Sequence, residues 1–435
     1  MASTSAEIAI VGAGPSGCAL ACFLCQRGAE VVIFDNGTPP DLLVGESLIP
    51  AAIPLLQRLG VEEQVKAVSM LKPGASLQHA SGQRVDFEFR LQRGKAPGYA
   101  YNVPRPAFDN ILRERARALG ARFVHQRALL SRGNPASSDG EISLSDASLD
   151  AAGLTPDGPS PLLIDATGRA HLFARVLGIE ATRGGRDDTA YFAHYENCAL
   201  TDAPSGQIII TVLKYGWSWR IPLKNRLSIG VVISREVARR FGDTAQARLD
   251  AIIQDEPMLA TCVSGGRRVS PVRTYSNYQL LHQRGFGPGW AMVGDAFGFV
   301  DPMLSPGVFM ALESASLLDR CIALNHGRIG QLSFDRYNRE IHHWHDAWQE
   351  IIAHFYDGSL LRLHEAGKDS QDGAGRFSHV RVLNWYYQRL IGQLVSGTGT
   401  RSAFKRRMLK AGIEHLADST VKSERHAVMG DYSPG

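Results

Sequence analysis

A glycine-rich turn between an apolar strand and a helix constrains this chain more than any other feature. Residues 8–17 read Ile-Ala-Ile-Val-Gly-Ala-Gly-Pro-Ser-Gly, and an apolar segment with helical character follows directly. In this spacing the first glycine permits a sharp bend, the second lets the backbone approach a pyrophosphate, and the third allows close packing of helix on strand. The free N–H groups at the helix start favour bound phosphate. The predicted contacts in this turn are Gly12, Gly14, Pro15, Ser16 and Gly17.

The second strand supports the same interpretation. Residues 30–35 read Glu-Val-Val-Ile-Phe-Asp, so an acidic residue ends the strand. A carboxylate at Asp35 can accept hydrogen bonds from the two hydroxyls of an adenosine ribose. The order of strand, turn, helix and strand therefore predicts a dinucleotide-binding domain.

The composition is that of a globular protein in a reducing compartment. With 435 residues, 44% of them hydrophobic, the chain is long enough for two joined domains. The net charge of +4 gives no reason to expect a nucleic-acid partner. The six cysteines are scattered, no apolar run approaches the roughly 18 residues of a membrane span, and the first strand begins too early for a signal peptide. We therefore expect a cytoplasmic protein without a membrane partner.

The apolar pattern changes along the chain and predicts the domain organisation. Between residues 189 and 234 four long β-like runs follow one another with short connections, which indicates an antiparallel sheet. The residues after 325 have mostly helical patterns. The predicted architecture is α/β, with a Rossmann-type domain, an antiparallel-sheet substrate domain and a C-terminal helical region. Their bounds are, in that order, 1–185 with 271–325; 186–270, with 70–104 contributing to the substrate side; and 326–435.

Two later turns follow apolar strands at the edge where the dinucleotide would lie. One contains Asp165, Thr167 and Gly168, and the other contains Gly294 and Asp295. A carboxylate at the second turn suits the ribityl hydroxyls and pyrophosphate of FAD, although a strand-end aspartate can also cap a helix. The sequence has no second glycine fingerprint, so one tightly bound FAD is the simpler prediction.

Taken together, these motifs resemble the class A flavoprotein monooxygenases. The resemblance rests on the glycine turn, on Asp-Ala-Thr-Gly at 165–168, and on the run Val-Gly-Asp-Ala-Phe-Gly-Phe-Val-Asp-Pro at 293–302 before a helix. It covers residues 5–325. It implies an FAD-binding fold of the p-hydroxybenzoate hydroxylase type and an oxidising flavin C4a-hydroperoxide formed from O2.

Three further motifs resemble the flavin-dependent halogenase branch of that superfamily. They are Gly-Glu-Ser-Leu-Ile-Pro at 45–50, Lys-x-Gly-Ala at 72–75 and Trp-Ser-Trp-Arg-Ile-Pro at 217–222. The alternatives without a catalytic or binding role are a solvated lysine, a helix-capping glutamate and tryptophans that only pack a sheet. The resemblance implies catalytic roles for Lys72, Glu46, Pro302 and Gly307; FAD contacts from Glu46, Ser47, Arg105, Pro302, Gly307 and Val308; and a substrate pocket at Trp217 and Trp219.

One departure from the halogenase pattern decides the expected reaction. Halogenases hold halide on backbone N–H groups in a stretch that reads Ser-Ser-Gly or Ser-Thr-Gly, whereas this chain has Ser-Pro-Gly at 305–307. Because proline has no N–H, one halide donor is missing. We therefore expect hydroxylation of an electron-rich aromatic substrate, with halogenation of a phenol, pyrrole or indole as the alternative. A third hypothesis is a non-catalytic FAD-binding assembly factor.

The same combination also resembles the flavoprotein that hydroxylates a tryptophan side chain of a partner protein during tryptophylquinone cofactor biogenesis. The expected partners are thus an aromatic substrate, either free or within a peptide or protein, and NAD(P)H or a flavin reductase as electron source. We expect no metal, because His342, His343 and His345 have a spacing that splits them across helix faces.

Overall fold

The computed structural model of the chain has the predicted α/β architecture. It describes residues 7–37, 44–79, 84–91, 97–132, 141–155, 160–199, 203–277, 279–324, 330–360, 362 and 389–419. The fold class is confirmed: a Rossmann-type domain, a large sheet and a helical C-terminal region are all present. The predicted domain bounds stay a prediction. Within the described ranges, no helix has the length and apolar character needed to cross a membrane.

The described chain contains strands and helices throughout and ends in helices. The strands are β1 (Ile8–Val11), β2 (Val31–Phe34), β3 (Met70–Lys72), β4 (Gly74–His79), β5 (Arg84–Glu88), β6 (Ala100–Asn102), β7 (Arg122–Val124), β8 (Leu130–Arg132), β9 (Ile142–Leu144), β10 (Leu162–Asp165), β11 (Ala181–Arg183), β12 (Asp188–Glu196), β13 (Ile208–Leu213), β14 (Gly216–Pro222), β15 (Leu227–Ser234), β16 (Arg267–Arg268), β17 (Arg273–Asn277), β18 (Leu280–His282), β19 (Phe286–Gly287), β20 (Trp290–Met292) and β21 (Gly298–Phe299). The helices are α1 (Pro15–Cys25), α2 (Ile53–Leu59), α3 (Glu62–Val68), α4 (Arg105–Ala118), α5 (Asp146–Ala152), α6 (Leu172–Leu177), α7 (Arg235–Ala238), α8 (Ala245–Asp255), α9 (Pro257–Val263), α10 (Gly307–Leu324), α11 (Gln331–Tyr356) and α12 (Ala403–Ser419).

The Rossmann-type sheet brings the predicted cofactor turns to one edge. Its strand order is β19-β20-β10-β1-β2-β7, and β20, β10, β1, β2 and β7 are parallel. Val11 at the end of β1 is in register with Phe34 on one side and with Asp165 on the other. The carboxyl ends of these strands therefore meet where the glycine turn begins, as doubly wound folds require of a ligand site.

The second large sheet is almost wholly antiparallel and is built from two separate parts of the chain. Its order is β16-β12-β15-β14-β13-β4-β5, and β17 also pairs with β12. The early strand β4 joins the later strand β13 in parallel, so β4 and its partner β5 extend this sheet. Trp217 and Trp219 lie two positions apart on β14, which places them on the same face.

The C-terminal helices pack against the Rossmann-type domain. Helix α10 packs on α1, and α11 packs on α10. Tyr337 of α11 is fully buried and donates its hydroxyl hydrogen to the carbonyl of Met292, next to the turn at Gly294. The helical region thus contacts the sheet edge that carries the cofactor turns.

Candidate active site

A single continuous cavity of about 750 Å³ runs from the glycine turn to the large sheet. Most of the predicted site residues line it. They are Gly12, Gly14, Pro15, Ser16, Asp35, Glu46, Ser47, Arg105, Thr167, Gly168, Trp217, Trp219, Asp295, Pro302, Gly307 and Val308. Four other predicted residues, Gly17, Lys72, Asp165 and Gly294, do not belong to its wall.

The glycine turn has the geometry that a pyrophosphate site requires. Gly12 has a φ of 113°, and a Cβ there would lie 2.4 Å from the carbonyl oxygen of Ala166. A Cβ on Gly17 would lie 2.1 Å from the carbonyl oxygen of Gly12, so this glycine serves helix packing behind the cavity. A Cβ on Gly14 would meet nothing within 4 Å, because this residue faces open cavity. The turn therefore leaves space for phosphate beside the start of α1.

At the ribose end of the cavity, Asp35 is held by an arginine that the motif analysis missed. Arg113 of α4 lies 3.2 Å from one Asp35 oxygen, and the N–H of Gly37 donates to the other. Arg105, Asp109 and Arg113 all line the cavity. Their spacing of four residues along one helix is a signal that could have revealed them.

Two predicted cofactor contacts have structural roles instead. The Asp165 carboxylate accepts hydrogen bonds from the N–H and hydroxyl of Thr167 and from the N–H of Phe173, so it shapes the turn from beneath. Gly294 has a φ of 62°, and a Cβ there would lie 2.7 Å from the Ser16 side chain. Gly294 thus allows its turn to approach the start of α1. The prediction that Asp165 and Gly294 contact FAD directly is corrected accordingly.

Asp295 is the carboxylate of this turn that faces the cavity. Burial raises the pKa of Asp295 to about 6, although the positive charges of Arg105 and Arg169 oppose the shift. Arg105 itself donates to the Val44 carbonyl and forms a two-point contact with Asp109. At neutral pH most of this carboxyl is ionised, so it can accept hydrogen bonds from sugar hydroxyls.

Glu46 joins the cofactor side of the cavity to the large sheet. Its carboxylate is 2% exposed and lies within hydrogen-bond distance of the Nε2 atom of His194, on β12. The Nδ1 atom of that imidazole lies 3.5 Å from the Arg226 guanidinium. The sequence motifs gave no indication of His194.

Lys72 lies behind the cavity wall. Its side chain is 1% exposed, and its ammonium donates to the Ser47 hydroxyl at 2.8 Å and to the Leu48 carbonyl at 2.9 Å. Burial lowers the pKa of Lys72 to about 7. The solvated-lysine alternative is therefore wrong, and Ser47 is the residue that separates Lys72 from the cavity.

The Ser-Pro-Gly stretch forms a strained loop that ends at the start of α10. Leu304 and Ser305 have φ values of 65° and 61°. This left-handed conformation costs non-glycine residues about 1–3 kcal/mol each and is typical of functional loops. The first hydrogen bond of the helix runs from the N–H of Met310 to the Pro306 carbonyl, so Pro306 occupies the N-cap position. The three residues after the cap also carry N–H groups that have no partner within the helix.

Pro306 therefore removes only the donor at the cap itself and leaves those of the residues that follow. In the described part of the chain, no hydrogen-bond acceptor is paired with the N–H of Gly307 or Val308, and both residues line the cavity. The helix dipole adds partial positive charge at this point. The loop can accommodate an anion without an N–H at position 306.

The far wall of the cavity is apolar and aromatic. It includes Trp217 and Trp219, whose ring centroids lie 5.8 Å apart, together with Ile208, Ile210 and Val232. Gly230 makes this arrangement possible, because a Cβ there would lie 2.1 Å from the Trp219 ring. Such a wall suits a flat apolar ring rather than a charged sugar or phosphate.

The comparisons with known proteins identify the family. A model of the tryptophan halogenase family matches residues 76–360, and a model of NAD(P)-binding Rossmann-like domains matches residues 10–40. The tryptophan 2-halogenase of Chondromyces crocatus is 28% identical over 363 residues, which cover 81% of this chain and 68% of that protein. The 1H-pyrrole-2-carbonyl-[peptidyl-carrier protein] chlorinase of Pseudomonas fluorescens is 26% identical over 388 residues, covering 82% of this chain and 84% of the relative.

Solved structures show the same fold. A flavoprotein/dehydrogenase from Cytophaga hutchinsonii matches with a TM-score of 0.76 and 21% identity, covering 95% of this chain and 99% of the other. The myxobacterial chondrochloren halogenase CndH matches with a TM-score of 0.69 and 24% identity, covering 98% and 94%. The chain belongs to the tryptophan halogenase family.

This membership corrects the expected reaction. The prediction of an FAD-dependent oxidoreductase that uses FAD and O2 is confirmed at the level of the family. The prediction of aromatic hydroxylation is wrong, because the relatives are halogenases. The error came from the weight given to Pro306, which the structure places at a helix cap. The comparisons give no support to the narrower resemblance to a tryptophylquinone-forming hydroxylase or to a non-catalytic assembly factor.

The cavity fits FAD. The turn at Gly14 would hold the pyrophosphate, Asp35 the adenosine ribose, and Asp295 the ribityl chain. Residues of the loop from Pro302 to Gly307 line the same cavity as the aromatic wall. In the described ranges, no cluster of side chains has the composition of a metal site.

Proposed function

We propose that this protein is a flavin-dependent halogenase that replaces a ring hydrogen of a phenol, pyrrole or indole by chlorine or bromine. In the overall reaction halide gives up two electrons and the ring gives up a proton. Bound FAD, when reduced, supplies two further electrons, and O2 takes up all four to become water. The membership of the tryptophan halogenase family supports this reaction, and the cavity supports the aromatic substrate class.

The observation that carries the proposal is the continuity of the cavity. The glycine turn, the start of α10 and the Trp217–Trp219 wall all border one space. The residues proposed to hold the cofactor, the anion and the apolar ring thus share one space.

We assign halide binding to the start of α10. The N–H groups of Gly307 and Val308 and the Ser305 hydroxyl all belong to residues that border the cavity. Helix-start donors together with the helix dipole favour a small anion. Exclusion of water from around them would protect an electrophilic halogen from hydrolysis.

We assign the final positioning step to Lys72. Its ammonium reaches the cavity wall through the Ser47 hydroxyl, at 2.8 Å. With a pKa of about 7, this group can both hold and release a proton near neutral pH.

The electron source is a separate flavin reductase in this proposal. The sequence has one glycine fingerprint, and the cavity accounts for one dinucleotide. NAD(P)H would then reduce flavin on the partner protein.

The test is a product analysis with matched variants. The protein is supplied with FAD, a flavin reductase, NADH, air and either bromide or chloride, together with a panel of phenols, pyrroles and indoles. Mass spectrometry should find a mono-halogenated arene that Lys72→Met abolishes, while FAD binding to Lys72→Met stays normal. Absence of any halogenated arene across the panel, with FAD bound and O2 consumed, would overturn the proposal.

A further inference from the structure

The hydroxyl of Tyr356 joins the two walls of the cavity. Tyr356 is the last residue of α11, in the C-terminal helical region. The indole Nε1–H of Trp217 donates to the Tyr356 oxygen at 2.9 Å, and the Tyr356 hydroxyl donates to Asp301 at 3.1 Å. Trp217 belongs to the aromatic wall, and Asp301 directly precedes the loop from Pro302 to Gly307.

Both partners of this hydroxyl are buried. Trp217 is 3% exposed and Asp301 is fully buried. The second oxygen of Asp301 accepts the N–H of Met303, so the same carboxylate orients the loop. A buried indole N–H and a buried carboxylate each cost free energy if they lose their partner. The Tyr356 hydroxyl therefore provides a hydrogen-bond partner for both the Trp217 indole and the Asp301 carboxylate.

The plane of the Tyr356 ring is fixed separately. The guanidinium of Arg186 lies 3.6 Å from the ring centroid, and its Nε donates to Asp188 at 2.7 Å. This stacking does not involve the hydroxyl. Removal of the hydroxyl alone should thus leave the ring in place and release only Trp217 and Asp301.

We propose that Tyr356 is a positioning residue that sets the orientation of the Trp217 indole relative to the loop at Pro302–Gly307, and thereby which ring position of the substrate is presented for reaction. This inference rests on the proposed function for its chemistry. It also gives the C-terminal helical region a role in substrate selection. Tyr356 itself is absent from the cavity wall, so it acts through Trp217.

The test compares Tyr356→Phe with Tyr337→Phe. Tyr337 is a second buried tyrosine of α11 whose hydroxyl makes one hydrogen bond, to Met292, away from the aromatic wall. Loss of a hydrogen bond of ordinary strength corresponds to roughly a fivefold to tenfold effect. Tyr356→Phe should raise KM for the arene by about that factor, change kcat much less, and broaden the distribution of halogenated positions. Tyr337→Phe should change neither KM nor the distribution.

A second readout does not depend on turnover. The chain has six tryptophans, and labelling with 5-fluorotryptophan gives each a 19F NMR resonance. The resonance that Trp217→Phe removes is that of Trp217. In the FAD-loaded protein this resonance should shift or split in Tyr356→Phe and in Asp301→Asn, and stay unchanged in Tyr337→Phe.

The two readouts separate failure of this inference from failure of the proposed function. If wild-type protein halogenates no arene but the Trp217 resonance responds to Tyr356→Phe, the halogenase proposal fails and the positioning of Trp217 stands. If the wild type halogenates and Tyr356→Phe matches it in KM, product distribution and the Trp217 resonance, the inference is overturned.

Discussion

The Nε2 atom of His194 lies 2.9 Å from one carboxylate oxygen of Glu46 and 3.1 Å from the other. Glu46 belongs to the loop that follows β2, and His194 to the central part of the large sheet. This buried contact ties the cofactor side of the cavity to the substrate side. A carboxylate that is 2% exposed depends on such a partner.

Replacement of His194 should therefore affect both stability and cofactor binding. His194→Ala leaves the buried carboxylate with fewer partners, so we expect unfolding in urea to cost about 1–3 kcal/mol less and FAD to bind more weakly. His194→Gln, whose amide can donate to Glu46, should recover part of both losses. Wild-type stability and FAD affinity in His194→Ala would contradict the role assigned to this contact.

Substitutions at Gly12 and Gly14, the first two glycines of the fingerprint, should affect folding and cofactor binding separately. Gly12→Ala forces a left-handed residue and a contact of 2.4 Å with the Ala166 carbonyl, so we expect a less stable apoprotein. Gly14→Ala meets no protein atom within 4 Å but projects into the phosphate space. It should melt like the wild-type apoprotein and bind FAD at least tenfold more weakly, a difference of about 1.4 kcal/mol. Fluorescence titration with FAD and thermal unfolding of the apoproteins measure both. Equal FAD affinity in Gly14→Ala and wild type would rule out the proposed phosphate site.

Lys72 should make the free energy of unfolding depend on pH in the neutral to alkaline range. Burial lowers its pKa to about 7 in the folded protein, whereas the unfolded value is about 10.4. Between these values the unfolded chain binds the extra proton, so the contribution of Lys72 to the free energy of unfolding rises with pH. The stability of wild type relative to Lys72→Met should thus increase from pH 7 towards pH 10. A difference that stays constant over this window would show that Lys72 keeps an ordinary pKa.

At acidic pH the contribution of Asp295 to the free energy of unfolding should fall as the pH rises, which is opposite in sign to the effect of Lys72. Its pKa is raised to about 6, so between about pH 4 and pH 6 the folded apoprotein binds more protons than the unfolded chain. The contribution of Asp295 to stability therefore falls as the pH rises through this window. Asp295→Asn should stabilise the apoprotein above pH 6, with a smaller gain at pH 5, and should weaken FAD binding through loss of a carboxylate acceptor. Urea unfolding at pH 5, 6 and 7 tests the sign, and a gain that is largest at pH 5 would contradict it.

The sequence predicted those parts of the site that depend on local geometry. The glycine turn and the acidic end of the second strand lie at fixed positions within one βαβ unit, so Gly14 and Asp35 could be placed from their spacing. The β-like runs between residues 189 and 234 likewise indicated the sheet that carries Trp217 and Trp219. Asp165 was misassigned because its partners, Thr167 and Phe173, compete with the cofactor for the carboxylate.

The long-range contacts of the site could not be predicted from the sequence. Glu46 and His194 are 148 residues apart, and Trp217 and Tyr356 are 139 residues apart. Neither periodicity nor motif spacing carries information about such pairs. The interpretation of Pro306 failed for a related reason, since the position of the helix cap decides whether a missing N–H matters.

The central claim is that the oxidising power of the bound cofactor is transferred to halide. The most direct measurement is a single turnover in which FAD-loaded, anaerobically reduced protein is mixed with O2, with and without bromide, in the presence of equal amounts of a phenol, a pyrrole and an indole. We expect a brominated arene in an amount limited by the bound FAD, and no modified arene when bromide is left out. An oxygenated arene formed to the same extent with and without bromide would contradict it.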